Sequence, residues 1–199
     1  MRNRILLLPI AVLMLWCATP ALAQNRSESF ELNPYMVFTD FDNQTEIDQD
    51  VGFGFRFGYN FTPLHELEFS FDGLSTNDTV VGQIDVDVTK FITNYTFNFN
   101  FQRKQQVVPY VTTGFGFIRF NASAPGIPSD DETDMLFNFG GGVRFFIGQV
   151  FNIRLDLRWL FYQGDNQVLR NIDYQNTDFG IGVGWVLGGK TAPPPKTHH

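Results

Sequence analysis

The sequence predicts an all-β protein: an eight-stranded antiparallel up-and-down barrel that crosses a lipid bilayer on its strands. Three observations point there. Between residues 51 and 61 the chain reads V-G-F-G-F-R-F-G-Y-N-F, large and apolar at every odd position and Gly, Arg or Asn at every even one. Side chains on a strand alternate between faces, so this segment has one greasy face and one small or polar face. The pattern recurs about eight times, in segments of roughly 9 to 11 residues, the length a tilted membrane strand requires. Finally, 16% of the residues are aromatic, with 23 Phe, yet mean hydropathy is -0.12. A barrel with lipid outside and a polar lumen inside reconciles those two values.

The first 23 residues stand apart from this pattern. Arg2 and Arg4 precede an apolar run over residues 5–16, and Ala21-Leu22-Ala23 is a small-x-small cleavage site before Gln24. These are the marks of a secretory signal peptide, to be excluded from fold reasoning. Cleavage removes the only cysteine, Cys17, and with it any disulfide or cysteine-ligated metal. It also leaves 12 basic against 21 acidic residues, a net charge of -9. Nucleic-acid binding is excluded, because phosphate recognition needs clustered Lys and Arg.

Strand one is expected over residues 29–39, with Phe30, Leu32, Met36 and Phe38 outward, and strand two over 51–61. Strand three, 64–73, sends Leu67, Phe69 and Phe71 out and Glu66, Glu68, Ser70 and Asp72 in. Strand four, 84–101, has Phe91, Tyr95, Phe97, Phe99 and Phe101 outward. Its beginning is out of phase, since Ile84, Val86 and Val88 hold even positions. A β-bulge near Thr89-Lys90, or an extension of the strand above the bilayer, explains the change. Strand five is expected over 107–120, strand six over 135–147, strand seven over 151–162 and strand eight over 176–187. Strand seven is the most regular, Phe151, Ile153, Leu155, Leu157, Trp159 and Phe161 opposing Asn152, Arg154, Asp156 and Arg158.

Connections alternate short and long. Short ones fall near residues 61–63, 102–106 and 148–149, long ones near 40–50, 74–83, 121–134 and 164–173. Barrels of a bacterial outer membrane have short periplasmic turns and long external loops. An even strand number then leaves both termini in the periplasm. The organisation is a signal peptide at 1–23, a barrel at 24–187 and a proline-rich periplasmic tail at 188–199, with Pro193-Pro194-Pro195.

Inward alternation gathers charge in the lumen: Arg56, Arg144, Arg154 and Arg158 with Glu66, Glu68, Asp72 and Asp156. Strand pairing is expected to place Arg56 beside Glu68, Ser70 and Asp72, and Asp156 between Arg154 and Arg158 and diagonal to Arg144. Such a network either fills and staples a narrow interior or gates an ion path. Catalysis finds little support. His65 lies at a periplasmic turn with no serine motif around it and reads as a solvated turn residue, so no catalytic residue, cofactor or metal site is assigned. The loops carry Asp40, Asp42, Glu46, Asp48 and Asp50, then Asp130, Asp131, Glu132 and Asp134, expected to be solvated. A calcium loop starting at Asp40 is incomplete, with Thr45 and Val51 where Gly and Glu belong.

With the strands placed, the chain resembles the small outer-membrane β-barrel family typified by the OmpA barrel domain. The resemblance lies in Gly58-Tyr59-Asn60-Phe61-Thr62-Pro63, in Pro109-Tyr110-Val111 through Gly114-Phe115-Gly116, and in Gly140-Gly141-Gly142-Val143-Arg144. It also lies in the last strand, where Asp178, Gly180, Val183 and Trp185 fit the assembly signal that such barrels present to their insertion machinery. The resemblance implies outer-membrane lipid and lipopolysaccharide as surroundings and the barrel-assembly machinery as a transient partner; no external partner is implied. It lends no cell-wall anchoring, because the peptidoglycan-binding domain that often follows such barrels is not expected after this tail. The function expected is a non-enzymatic structural or surface-interaction barrel, with a narrow OmpW-like channel for ions or small hydrophobic molecules as the alternative.

Overall fold

The computed structural model describes residues 25–40, 50–77, 85–99, 106–124, 127–164 and 172–190. Eight strands follow one another: β1 (Ser27–Asp40), β2 (Asp50–Asn60), β3 (His65–Asn77), β4 (Asp85–Asn98), β5 (Val107–Ala124), β6 (Ile127–Ile147), β7 (Phe151–Gly164) and β8 (Ile172–Lys190). Each pairs antiparallel with its neighbour in sequence, and β8 returns to β1 to close the barrel. Closure leaves no open edge where the strands run side by side, so backbone N–H and C=O groups meet partners without water, as a bilayer requires.

The faces sort as alternation demands. Phe53 and Phe115 are each 67% exposed, with Phe55, Phe71, Phe91, Phe137 and Phe179 also on the outer wall. Arg56, Glu68, Asn94, Asn138 and Arg154 are buried inside. At the short-turn end the wall carries an aromatic belt. Phe30 and Tyr59 have ring centroids 4.9 Å apart, Phe97 and Phe99 5.2 Å, and Phe151 and Trp185 5.9 Å. His65, at the β2–β3 turn as expected and half-buried, also belongs to this belt. Its Nδ1 lies 2.6 Å from the Tyr95 hydroxyl and its ring stacks on Tyr95. Amphipathic rings of this kind suit a membrane interface, apolar on the body and polar at the tip.

The turns are built locally. Between β2 and β3, the Thr62 hydroxyl accepts hydrogen bonds from the amides of Leu64 and His65, at 3.2 and 3.1 Å. Between β6 and β7, Gly148 takes φ of 72°, a left-handed conformation open to glycine without a Cβ clash.

Two expectations are revised, the first being the choice between a bulge and an extended strand in β4. No bulge interrupts β4: its register runs unbroken from Asp85 to Asn98 against β5, and from Asp85 to Phe97 against β3. From residue 88 onward even positions face inward, so Val88, Lys90, Ile92 and Asn94 share the lumen wall. The phase change is one of surroundings. Toward the long-loop end the exposed wall becomes polar, with Asp87 accepting from the Ser75 hydroxyl at 2.5 Å, while the inside becomes apolar. The second correction concerns residues 121–134, expected as a loop. Residues 121–124 and 127–134 form the upper arms of the β5–β6 hairpin, paired from Asn121↔Asp131 to Ala124↔Ile127 with a register shift between Ala122 and Ala124. Asp134 consequently turns inward and is buried, rather than solvated.

β8 runs on to Lys190. The signal peptide, the calcium-like segment after Asp40, the short connection at 102–105, most of the second and fourth long loops, and the tail beyond Lys190 lie outside the described residues.

Candidate functional site: the charged lumen

The lumen holds its charges in three tiers. Nearest the short turns, Arg144 Nη2 donates to Glu66 Oε2 at 2.6 Å and Nη1 to Asn98 at 2.7 Å, with Glu31 Oε2 3.5 Å from Nε. In the middle, Glu68 accepts from Arg154 at 2.5 Å and from Arg158 at 2.9 Å. Asp156 there accepts from Arg158 at 2.9 Å and pairs with Arg56 at 3.0 Å. Toward the long loops, Lys90 pairs with Asp178 at 2.5 Å and with Asp72 at 3.1 Å. Each guanidinium of the lower tiers is essentially sealed, Arg144 at 0% and Arg154 at 1% exposure. Isolated charges could not persist there; each needs its counter-charge within hydrogen-bonding reach.

Most pairs cross the barrel, while Lys90–Asp72 and Arg158–Asp156 run along its wall. Arg154 and Arg158 stand on β7 and reach Glu68 on β3, the opposite side of the eight-strand ring. Lys90 on β4 likewise reaches Asp178 on β8. Two tyrosines back this scaffold. Arg56 lies 3.6 Å from the centre of the Tyr35 ring, and Arg154 lies 4.6 Å from that of Tyr110. The Tyr35 hydroxyl donates to Asp72, and the Arg154 Nε donates to the Tyr110 hydroxyl at 2.8 Å. Glycine makes the crossings possible at Gly180, where an added Cβ would stand 2.7 Å from Asp156 Oδ2 and 3.1 Å from Arg56 Nη2.

Apolar side chains cover this network on both ends. Leu74, Val88, Ile92, Ile118, Leu136, Leu160 and Tyr162 form one buried cluster toward the long loops, on the β3–β7 side. Val108, Phe146 and Val186 form a smaller one at the short-turn end.

All eight residues expected in the lumen network, Arg56, Glu66, Glu68, Asp72, Arg144, Arg154, Asp156 and Arg158, are buried inside. Asp156 meets Arg158 on the same strand, as expected, but the other pairings differ from the neighbour relations expected. Arg56 sits opposite Ser70 in the β2–β3 register but pairs with Asp156 across β1 and β8. Arg144 pairs with Glu66 and Glu31, not with Asp156. Three members went unread: Glu31, Lys90 and, in this role, Asp178. Glu31 lies on the odd, inward face of β1's alternation and was legible from Phe30 and Leu32 on either side. Lys90 was hidden by the supposed bulge. Among the residues of the expected assembly signal, Asp178 and Gly180 face the lumen, while Val183 is exposed and Trp185 half-buried on the wall side of β8.

A closed barrel of eight membrane-length strands with a greasy wall and a paired polar interior defines an outer-membrane β-barrel, and comparison with known proteins agrees. Residues 10–186 match the family described as outer membrane protein beta-barrel domain, and the chain belongs to that family. Among solved structures, Neisserial surface protein A is similar with a TM-score of 0.62 at 13% identity, over 78% of this chain and 96% of that one. The N-terminal barrel of Pseudomonas aeruginosa OprF matches with a TM-score of 0.56 at 17% identity, over 81% and 99%. OprG of the same organism matches with a TM-score of 0.54 at 10% identity, over 84% and 99%. At these identities the likeness is one of fold. No curated protein matches the sequence.

Proposed function

We propose that this protein is a closed, non-enzymatic outer-membrane barrel, whose work is structural or surface-interacting and is done on its outside. The carrying observation is that Arg154 and Arg158 reach across the full lumen to Glu68 and both pair with it there. An eight-stranded barrel is only just wide enough for its own side chains, so pairs spanning the diameter occupy the path an ion would need.

The charge sequence along the axis supports the same reading. Counting formal charges, the Glu31–Glu66–Arg144 tier carries -1 and the Arg56–Arg154–Arg158–Glu68–Asp156 tier +1. The Lys90–Asp72–Asp178 tier carries -1. A cation meets a repelling middle, an anion repelling ends, and either meets an apolar layer beyond. The long loops face the exterior and lipopolysaccharide in this reading, both termini lie in the periplasm, and β8 engages the assembly machinery during insertion.

Planar-bilayer recording of the folded protein beside an Arg154→Ala variant tests this. A silent wild type is expected. Reproducible unitary steps that change in the variant would replace it with a narrow channel, and the tiers would then be its gate.

A further inference from the structure

The two residues before β1 lie across the short-turn mouth of the barrel. Asn25 is buried, and its Nδ2 donates to the Pro63 carbonyl in the β2–β3 turn at 3.3 Å. Half-buried Arg26 reaches to the other side of β1, where its Nη2 donates to the Val186 carbonyl on β8 at 2.7 Å. The Ser29 hydroxyl, buried inside the wall, donates to the Arg26 carbonyl at 2.7 Å. This short segment is thus held from β8, from β1 and from the β2–β3 turn.

An irregular start to the β1–β8 seam seats it. The ladder pairs Ser27 with Lys190 and Ser29 with Gly188, and skips the position between. There Glu28 takes φ of 54° and Gly189 φ of 89°, so two left-handed residues face each other across the seam. Glu28 is the one non-glycine residue with positive φ among the described residues. A side-chain-bearing residue keeps that conformation only where its surroundings hold it. Here Lys190 clasps the Glu28 carboxylate at 2.8 Å. Opposite, Gly189 leaves the segment its room: an added Cβ would stand 2.8 Å from both Arg26 Cβ and Ser29 Cβ.

Behind the segment lie Val108, Phe146 and Val186, and beyond them the Glu31–Glu66–Arg144 tier. Val108 and Phe146 cover the β5–β6 side of the mouth, and Asn25 and Arg26 the side of β8, β1 and β2. We propose that Asn25 and Arg26 form a stopper, hinged at Glu28, that bars water-borne solutes from the charged lumen at the short-turn end. Two bonds hold it shut, Asn25 to Pro63 and Arg26 to Val186, and neither involves a charge of the three tiers. Asn25 Oδ1 and Arg26 Nε have no partner while it is seated, and water would satisfy both once it swings out. The stopper can therefore open with the charge network intact. It goes beyond the closed-barrel reading, which rests on pairs across the diameter, and would guard the mouth equally in a barrel that conducts.

The test is the accessibility of a thiol placed behind the stopper. The chain from Gln24 onward has no cysteine, so Val186→Cys supplies a single one. The rate at which a charged, water-soluble methanethiosulfonate reagent modifies it is measured on the folded protein in detergent micelles. Slow modification is expected with the stopper intact. Adding Asn25→Ala and Arg26→Ala together should speed it by about tenfold, the population shift that follows loss of one charge-assisted hydrogen bond. Heat-modifiable gel migration should remain that of a folded barrel. Equal rates with and without the two substitutions overturn the stopper, whether both are slow or both fast. If that variant does not fold, single cysteines at Asn25 and at exposed Lys190 decide: slower reaction at residue 25 supports the seated segment, and equal rates refute it. A wild type that conducts in planar bilayers yet shows the expected labelling would displace the closed-barrel reading and leave the stopper standing.

Discussion

The two ends of the barrel solve the same problem with opposite polarity. Through the lipid-crossing part, the wall is Phe55, Phe57, Phe69 and Phe139, and the interior is Arg144, Glu66, Arg154 and Glu68. Toward the long loops on β3 to β6 the wall becomes Ser75, Asp87, Arg119 and Thr133, and the interior becomes Leu74, Val88, Ile118 and Leu136. Backbone and alternation are unchanged; the solvent outside is not. Where the outside is hydrocarbon, the polar face must turn in and pair. Where the outside is water, the ordinary hydrophobic arrangement returns, and the apolar face caps the charges beneath it.

This contrast predicts how the two regions respond to change. The largest effect is expected from Glu68→Ala, which strips Arg154 and Arg158 of a shared partner. Breaking a buried pair from one side costs about 3–5 kcal/mol. Urea unfolding in micelles measures it, and a loss under about 1 kcal/mol would mean that the network is solvated and holds nothing together. Leu160→Ala, in the fully buried apolar layer, should cost about 2–5 kcal/mol by the same measurement. A negligible loss would show that the layer is loosely packed.

Phe55→Arg on the lipid-facing wall is expected to cost about 2–4 kcal/mol, the penalty of a cation near the bilayer midplane. Thr133→Arg lies on the exposed face of the extended hairpin, where a surface change is worth within about 0.5 kcal/mol. Equal costs for the two would place the lipid boundary higher than the polarity change on β4 suggests. An effect smaller than that of Phe55→Arg is expected at the aromatic belt. Tyr95→Phe removes the hydroxyl that meets His65, a loss of about 0.5–1.5 kcal/mol in folding titrations.

Much of this was legible along the chain because a strand's alternation is a local property. Glu66, Glu68, Arg154 and Arg158 could be placed inside from their immediate neighbours alone, and so could the outward set from Phe151 to Phe161. Alternation failed where the environment changed under a constant backbone. Ile84, Val86 and Val88 read as a change of phase open to two explanations, a bulge or an extension above the bilayer, because alternation alone does not say which solvent lies outside. The hairpin at 121–134 was hidden for a related reason: Asp130, Asp131 and Glu132 carry the composition of a loop, yet a strand standing in water has no need of a greasy wall.

The sequence by itself determined the number of strands, their antiparallel order and which side chains share the lumen, since each follows from a two-residue period and from connection length. Only the closed tertiary structure decided which charges meet. Arg56 pairs with Asp156, and Arg154 with Glu68, across strands far apart in sequence. Those distances depend on how far each strand is staggered against the next around the ring, and closure makes that stagger a property of all eight strands together.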